Sequence, residues 1–377
     1  MIVIVTHAVF FNNKDIYGPP HSISLFLNKK KVKHLFIKHR LDSNGYSKIE
    51  FYRNGKLVKS LGKGYRKRLV SPFQYLLEFL ITFKTIYSIK NCELFIGVDP
   101  LNAFAGIILK LFGKTKKTIY FSADFAIKRF NNNMLNSVYL LLDYLSMKFS
   151  DKTWSVSERI VNYRKGKRLK DKKNILVPNS PSFKSLARFR KEKKSKDHLV
   201  IVSRLYAGIG FGQIFLALKR LIKTYPHLKL HIVGDGEDMD NLIKDTSRLN
   251  LKENIIFYGA RDHDFVYRLI AKSYIGFAPY LKTNVKDFRY FSDSMKIRDY
   301  LACGVPVIAT GNTITGYEVR NKRAGMVIDL NESSIYESVY NLLKTPSLYE
   351  EIRKNALSLA RERDIESILQ KELKLYL

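Results

Sequence analysis

Chemistry is most readily assigned to one stretch of the chain, Phe291–Gly311, which reads FSDSMKIRDYLACGVPVIATG. Serine is a good helix N-cap, and the start of a helix presents unpaired backbone N–H groups and the positive end of the helix dipole. We therefore expect the amides of Ser294 and Met295 to suit a diphosphate, with Lys296 adding a mobile positive charge. One helical turn later, Asp299 can accept hydrogen bonds from ribose or sugar hydroxyls.

A helix and a buried strand must position these groups. Apolar residues recur at helical spacing after Ser294, and Gly304 followed by Pro306 is typical of a helix end. Residues 305–309 then form a continuous apolar run, which predicts a strand buried on both faces. The same pattern also fits an ordinary helix and strand of an α/β domain, without a ligand.

The wider chain alternates apolar strand patterns with helical patterns, and this alternation restarts near His198. It predicts an α/β protein with two doubly wound parallel sheets and a ligand cleft at the carboxyl ends of their strands. The linker candidate is residues 178–197, where proline, serine and a charge run occur together. We predict an N-terminal domain over 1–180, a second domain over 181–360, and a helical segment over 361–377 that returns to the first domain.

The second half resembles the donor domain of GT-B glycosyltransferases, most closely family 4 (glycosyl transferases group 1). The resemblance depends on an ordered series of motifs: VSRL (202–205), LHIVGDGED (230–238), IIFYGA (255–260), FAPY (277–280), DYLACGVPVIAT (299–310) and YEVRNKRAG (317–325). In the first half, SDKTWSVSE (150–158) and VPNS (177–180) are similar to the pattern that precedes the hinge in this family. The resemblance implies the GT-B fold, in which two Rossmann-like domains face each other across a cleft.

The resemblance also implies a retaining transfer of a hexose-type sugar from a nucleotide-diphospho-sugar, without a cofactor or an obligatory metal. In such a reaction Arg204, Lys296 and the helix start at Ser294 would stabilise the leaving diphosphate. Asp299 would hold the ribose, and Glu318 would lie near the nucleotide or sugar end of the donor.

The remaining assignments concern the donor base and the other substrate. The base is expected along Tyr258, Gly259 and Arg261, and Gly234 allows a turn at the cleft. Asp124 follows a first-half strand, at or beside the place where the family often has a substrate-contacting histidine, and it is a further catalytic candidate.

Two positions depart from the family pattern. Ile209 occupies the position of a lysine that usually contacts the diphosphate, and we expect Lys296 to replace that charge, so that a lysine restored at 209 would share the ligand. Phe291 occupies the position of the first of two acids spaced eight residues apart, and Asp287 and Asp293 are nearby acids that could contact the sugar instead.

Other chemically active residues have structural alternatives. His7, Gly18 and His21 surround the loop after the first strand, where acceptor contacts are plausible, although a lone histidine is more often structural. The Asp238-Met239-Asp240 triplet has a metal-binding form but follows a glycine turn, where helix capping is the more frequent role. Cys303 is expected to be a small packing residue.

The charge of the chain is concentrated in its first half. Of 66 basic and 34 acidic residues, 40 basic and only 13 acidic lie within residues 1–200, so this part carries +27 of the net +32. Net charge bears on partners, and the partners expected are a nucleotide sugar, a lipid-linked or anionic glycan acceptor and an anionic membrane surface. No nucleic-acid-binding motif occurs, so nucleic acid is the weaker alternative. A nucleotide-sugar epimerase of the same fold is another alternative.

The expected location is cytoplasmic, at the inner face of the membrane. No run of about 18 uncharged apolar residues predicts a membrane-spanning helix, and the N-terminus reads as a first strand, not a signal peptide. The basic loop at 62–68 precedes Ser71-Pro72, which predicts the start of an aromatic-rich helix. That helix either covers the sheet or lies on a membrane surface.

Overall fold

The computed structural model describes residues 1–11, 14–15, 17–41, 44–64, 67, 69, 73–89, 91–281 and 288–377. Asp287, the predicted helix start at Ser71-Pro72 and several residues of the basic loop at 62–68 lie outside this description. Internal contacts divide the chain into two units. Unit 1 holds the described residues of Met1–Asn179, Lys286–Phe291 and Glu366–Leu377, and unit 2 holds those of Ser180–Val285 and Ser292–Ile365.

Strands and helices alternate in both units. The strands are β1 Ile2–Ala8, β2 Phe10–Phe11, β3 Lys14–Asp15, β4 His34–Arg40, β5 Ser47–Arg53, β6 Lys56–Lys63, β7 Cys92–Val98, β8 Thr115–Ser122, β9 Lys152–Ser155, β10 Asn174–Leu176, β11 Ser195–Val202, β12 Lys229–Val233, β13 Ile255–Phe257, β14 Ser273–Ala278, β15 Val307–Thr310 and β16 Gly325–Ile328. The helices are α1 Pro19–Lys29, α2 Phe73–Tyr87, α3 Pro100–Leu111, α4 Asn133–Phe149, α5 Glu158–Gly166, α6 Phe211–Leu221, α7 Met239–Arg248, α8 His263–Lys272, α9 Phe288–Phe291, α10 Met295–Ala302, α11 Ile314–Asn321, α12 Glu332–Lys344, α13 Pro346–Glu362 and α14 Ile365–Glu372.

The sheet of unit 1 has the strand order β10-β9-β8-β7-β1-β4-β5-β6. Neighbours from β10 to β4 are parallel, whereas β4–β5 and β5–β6 are antiparallel. The last pair turns at Asn54 and Gly55, which both have positive φ, as the tightest hairpins require. Because β1, β7 and β8 are parallel neighbours, the residues that follow them meet at one edge of the sheet.

The sheet of unit 2 has the order β13-β12-β11-β14-β15-β16 and is parallel throughout. The chain moves outward from β11 to β13 and then returns to β14 on the other side of β11. This reversal makes the carboxyl ends of β11 and β14 a topological switch point, the usual ligand-binding place in open α/β sheets. The predicted α/β class with two doubly wound sheets is therefore confirmed.

The stretch from Phe291 to Gly311 folds as its sequence predicts. Ser294 is the N-cap of α10, Gly304 has a φ of 65°, and β15 is buried along its whole length. Cys303 is buried in the core of unit 2, which agrees with a packing role. In the described part of the chain, no helix is long and apolar enough to cross a membrane.

Candidate functional site

Helix α10 brings Lys296 to the switch point of unit 2. The Nζ of Lys296 donates a hydrogen bond to the Oγ of Ser203, the first residue after β11, at 2.8 Å. Tyr300, one helical turn later, fixes this arrangement, because its hydroxyl accepts from the amide of Val202 at 2.9 Å and donates to the carbonyl of Phe277 at 3.2 Å. The helix start is thus tied to the ends of β11 and β14.

The environment of Lys296 disfavours its charged form. Burial lowers the pKa of Lys296 to about 8. The ammonium lies 5.6 Å from the ring centroid of Tyr280, and no carboxylate partner is recorded for it among the described residues. An anion bound at this place would favour protonation of Lys296.

The helix start offers fewer amides than the sequence suggested. The side chain of Ser294 accepts from the amide of Ile297, as an N-cap does, but the amide of Ser294 itself donates to Thr315 Oγ1 at 2.9 Å. The prediction for Ser294 therefore needs correction, because its N–H group already has an internal partner. Met295 and Lys296 remain the candidates for anion contact at this helix start.

The strand ends beside Lys296 approach one another closely. The amide of Gly234, after β12, donates to the carbonyl of Gly259, after β13, at 2.9 Å. A Cβ on Gly234 would overlap the carbonyl oxygen of Ser203, and Gly234 has a φ of 136°. Glycine is therefore required for close backbone approach at this edge.

Arg204 lies next to Ser203 but points into solvent. Its side chain is 77% exposed and forms one ion pair, with Glu237 at 3.4 Å. An exposed pair of this kind contributes little to stability, so Arg204 can exchange Glu237 for an anionic ligand at small cost.

The predicted ribose ligand, Asp299, lies on α10. Burial raises the pKa of Asp299 to about 7, although a hydrogen bond from the Tyr267 hydroxyl at 3.3 Å opposes this rise. Sugar hydroxyls donating to this carboxylate would favour its ionised form.

Two other acids form an ion network inside unit 2. Arg298 contacts Asp293 at 2.9 Å and Glu318 at 2.6 Å, and Arg363 contacts Glu318 at 2.6 Å. The buried carboxylate of Asp293 also accepts from Thr315 at 2.6 Å, so the idea that Asp293 contacts the sugar does not fit. Glu318 likewise has two arginine partners, and its placement near the donor stays a prediction.

The predicted base-binding segment has two side chains with internal contacts. The hydroxyl of Tyr258 lies 2.9 Å from Nδ1 of His231, and the Arg261 guanidinium lies 5.5 Å from the ring of Phe265. At Gly259, in contrast, the space where a Cβ would stand is open. The space beside the Gly259 backbone is thus open, although its carbonyl already accepts from the amide of Gly234.

Both residues that depart from the family pattern are buried. Ile209 is 1% exposed and packs in the main core of unit 2, so a lysine there would place an ammonium among apolar side chains. This burial disfavours a ligand shared by Lys296 and a lysine at 209, which stays a prediction. Phe291 is buried in unit 1, with its ring centroid 5.0 Å from that of Phe125.

In unit 1, His7 lies between two acids at the carboxyl edge of the sheet. Its Nδ1 is 2.5 Å from the Oδ2 of Asp99, and its Nε2 is 2.9 Å from the Oε2 of Glu78. Burial alone would lower the pKa of His7, but the two carboxylates raise it to about 10. His7 is therefore an imidazolium at neutral pH and cannot serve as a general base.

Sequence reasoning missed Glu78 and Asp99. Glu78 is the one acid in the apolar helix α2, and Asp99 follows β7 immediately before Pro100, where it caps α3 through the amide of Asn102. Asp99 also has a φ of 78°, which is unusual for a residue other than glycine and is found most often at functional sites. The sequence signal that could have identified Glu78 is its position as the one acid in an apolar helix.

The other acceptor candidates of unit 1 have structural contacts. His21 accepts from the amide of Gly18 at 3.0 Å and donates to Asp15 at 2.6 Å, so both residues take part in capping α1. Asp124 lies just after β8, where it pairs with Arg129. In the Asp238-Met239-Asp240 triplet, Asp238 occupies the N-cap position of α7, but its side chain accepts from Asn241 at 2.9 Å and not from a backbone amide of the helix.

A cavity of about 720 Å³ joins several of these residues. It lies entirely in unit 1 and includes His7, Asp99, Asp124 and Arg129 at its polar part. Gly18 and His21 also line it, so the structure brings together the predicted acceptor residues and Asp124 around one cavity.

Comparison with known proteins agrees with the motifs. Residues 183–358 match the family model described as glycosyl transferases group 1. A curated relative, an uncharacterized glycosyltransferase of Methanocaldococcus jannaschii, is 31% identical over 110 residues, which is 27% of this chain and 27% of that protein.

Solved structures resemble the whole chain at low identity. HepE from Anabaena, in complex with UDP, has a TM-score of 0.65 at 14% identity, covering 99% of this chain and 98% of its own. Sucrose-phosphate synthase from Thermosynechococcus elongatus has a TM-score of 0.71 at 14% identity, covering 100% and 98%. An E. coli trehalose-6-phosphate protein bound with UDP-2-fluoro glucose has a TM-score of 0.69 at 12% identity, covering 100% of this chain and 98% of its own. The chain therefore has the GT-B fold of these structures, and its residues 183–358 match the glycosyl transferases group 1 model.

Proposed function

We propose that this protein is a retaining glycosyltransferase that moves a hexose-type sugar from a nucleotide-diphospho-sugar to a lipid-linked or anionic glycan acceptor in cell-surface polysaccharide synthesis. The observation that carries the proposal is the half-buried ammonium of Lys296, held by Ser203 at the switch point of a glycosyl transferases group 1 domain. A cation whose charge is disfavoured by burial gains most when an anionic ligand arrives.

The proposed mechanism is stabilisation of the departing diphosphate. Lys296 and the amide of Met295 approach it from the helix start, and Arg204 turns from Glu237 to face it. Groups aimed at developing charge typically lower a barrier by about 3 kcal/mol each when they are preorganised. Asp299 holds the ribose in its ionised form. No obligatory metal is needed for this arrangement.

Unit 1 would receive the acceptor. His7, Asp99 and Asp124 line its cavity. The carboxylates of Asp99 and Asp124 can accept hydrogen bonds from hydroxyl groups of the acceptor. His7, which stays charged, holds Asp99 in place and is not itself a proton acceptor.

We also propose that unit 1 docks on the inner face of an anionic membrane. Apolar side chains are exposed along one stripe of α2, at the end of α3 and along one stripe of α4, and we call this surface the helical apolar face. It comprises Phe73, Leu76, Leu80, Tyr87, Leu111, Phe112, Met134, Val138, Leu141, Tyr144 and Phe149. Such a patch marks an interaction surface, and basic residues near it are worth about 1 kcal/mol each at an anionic bilayer. Lysines occupy the last turns of all three helices.

A thermal-shift screen tests the nucleotide part of the proposal. Purified protein is heated with UDP, GDP, ADP and their sugars, and a ligand at 100 times its Kd stabilises by about 2.7 kcal/mol. We expect UDP or UDP-glucose to raise the Tm, because HepE was solved with UDP, and Lys296→Met to reduce the shift. The absence of any shift with all nucleotides contradicts the proposal. Interconversion of free nucleotide sugars without an acceptor would instead indicate an epimerase.

Vesicle co-sedimentation tests the membrane part. We expect binding to anionic vesicles at low salt, release at high salt, and weaker binding of the Leu80→Ser/Leu141→Ser variant. Equal binding to neutral and anionic vesicles, or concentration-dependent self-association of the protein through the same residues, contradicts membrane docking.

A further inference from the structure

The cavity of unit 1 has an extensive apolar lining, which the binding of sugars alone does not require. Besides its polar residues, it is lined by apolar side chains from three neighbouring helices. These are Leu76 and Phe79 from α2, Leu101 and Phe104 from α3, and Leu135, Val138 and Leu142 from α4. Its volume of about 720 Å³ is typical of a ligand-binding pocket, for which the usual range is about 300–1,000 Å³.

Two residues of α2 and α4 connect the cavity with the protein surface. Leu76 is 57% exposed and Val138 is 45% exposed, yet both also line the cavity. They belong to the helical apolar face, so the cavity lining is continuous with that face at these two side chains. A ligand that enters past them meets apolar side chains first.

Part of the cavity wall is polar. His7 and Asp99 contribute there, and so does the Asp124–Arg129 pair. The carboxylates outnumber the cations at this end once Glu78, the second partner of His7, is included. Hydrogen-bond acceptors of this kind suit hydroxyl groups of a sugar better than a phosphate.

We propose that this cavity binds the hydrocarbon chain of a lipid-linked acceptor, which enters between α2 and α4 from the bilayer and places its sugar at the polar end. The proposal rests on the proposed function and names the part of the acceptor that unit 1 recognises. An amphipathic ligand matches both parts of the wall, because methylenes gain from leaving water and hydroxyls keep hydrogen-bond partners.

A soluble glycan without a lipid fits this wall less well. Hydroxyl groups against the side chains of α2, α3 and α4 would lose water without gaining hydrogen bonds, and each such loss is costly. A hydrocarbon chain has no hydrogen bonds to lose and gains affinity about fourfold for each methylene buried.

Binding of alkyl glucosides tests the proposal on the full chain without any nucleotide sugar. Affinities of methyl, butyl, hexyl and octyl glucoside are measured by calorimetry below their micelle concentrations. We expect affinity to rise with chain length, by up to about fourfold per methylene. Affinity that is independent of chain length overturns the proposal.

Two positions of α4 provide a matched pair of variants. Leu142→Trp fills the cavity and should lower octyl glucoside affinity at least tenfold, leaving methyl glucoside unaffected. Ser137→Trp adds the same ring at an exposed position that does not line the cavity, and should leave both affinities unchanged. Equal effects of the two variants overturn the proposal.

If circular dichroism shows that Leu142→Trp misfolds, a second pair of variants tests the same cavity. Val138→Trp adds a ring at a partly exposed residue of the cavity lining, and Ser137→Trp, at the neighbouring exposed position outside the lining, again serves as the control. We expect only Val138→Trp to weaken octyl glucoside binding. Since no nucleotide is present, a failure here leaves the thermal-shift result standing, and a failure of that screen leaves the chain-length series standing.

Discussion

The lowered pKa of Lys296 makes a direct prediction about pH. Burial lowers this pKa from the ordinary 10.5 to about 8, so about half of the ligand-free molecules carry a neutral Lys296 at pH 8. A bound diphosphate favours the ammonium, and binding must therefore take up a proton from solution above pH 8. Nucleotide diphosphate affinity should fall as the pH rises.

The magnitude follows from the same value. Each pH unit above the pKa costs about 1.4 kcal/mol for charging Lys296, which is a factor of ten in affinity. Between pH 7.5 and 9.5 the affinity for UDP should fall about 25-fold, provided that the bound lysine keeps its proton throughout. The phosphates of UDP are almost fully ionised over this range, whereas the uracil N3–H ionises towards its upper end, so the fall in affinity is measured relative to a Lys296→Arg variant that shares this contribution.

Calorimetry measures both the affinity and the proton. UDP is titrated at pH 7.5, 8.5 and 9.5 in two buffers with different ionisation enthalpies, so that proton uptake appears as a difference in heat. Lys296→Arg should bind with little pH dependence, because arginine stays charged. Lys296→Met should bind weakly at every pH, and the exposed Lys244→Met should behave like the unmodified protein. Constant affinity from pH 7.5 to 9.5, without proton uptake, would refute the reasoning.

Three further predictions concern other residues. Arg204→Ala should lower turnover at least about 100-fold, a loss of about 3 kcal/mol, with an unchanged Tm because the side chain is 77% exposed; near-normal steady-state turnover removes Arg204 from the mechanism. His7→Leu should reduce the free energy of unfolding by about 3–5 kcal/mol at pH 7, because it leaves two carboxylates without their cation. Because the pKa of His7 is raised to about 10, the stabilisation by its charge is complete below pH 6.5 and is lost as the pH rises through about 10. Urea denaturation should therefore show the difference in unfolding free energy between the unmodified protein and His7→Leu shrinking over that range. A constant difference argues against a charged His7. Asp299→Asn should stabilise the protein at pH 8 but not at pH 4, because the pKa of Asp299 is raised to about 7 and ionising this buried carboxyl costs folding free energy. The same variant should bind UDP more weakly. Lower stability of the variant at pH 8 contradicts the assignment.

The sequence alone determined the local structure around the candidate donor site. The N-cap at Ser294, the left-handed Gly304 and the apolar run of β15 act through residues that are near one another in the chain, and each occurs where it was expected. The parallel α/β class follows from the alternation of apolar runs with helical patterns. The order of motifs likewise led to the family whose model matches residues 183–358, because those motifs mark successive strand ends of one domain.

The tertiary structure decided which distant residues meet. Lys296 and Ser203 are 93 positions apart, and His7 lies 71 and 92 positions from its two acids. Their proximity depends on strand order, which places β1 beside β7 and β14 beside β11 and which no local pattern reveals. Ile209 shows the same dependence on the fold, because its family position suggested a ligand-facing site and only the structure reveals that its side chain is buried in the core.

Burial also set the charges that matter for chemistry. A lysine and a histidine have the same ordinary pKa wherever they occur in a sequence, yet burial lowers the pKa of Lys296, while two buried carboxylates raise that of His7. The cavity beneath α2, α3 and α4 is likewise a property of packing, since its volume depends on the spaces left between helices. Sequence thus determined the residue types and the elements that carry them, and only the fold determined their distances, their solvent exposure and hence their protonation.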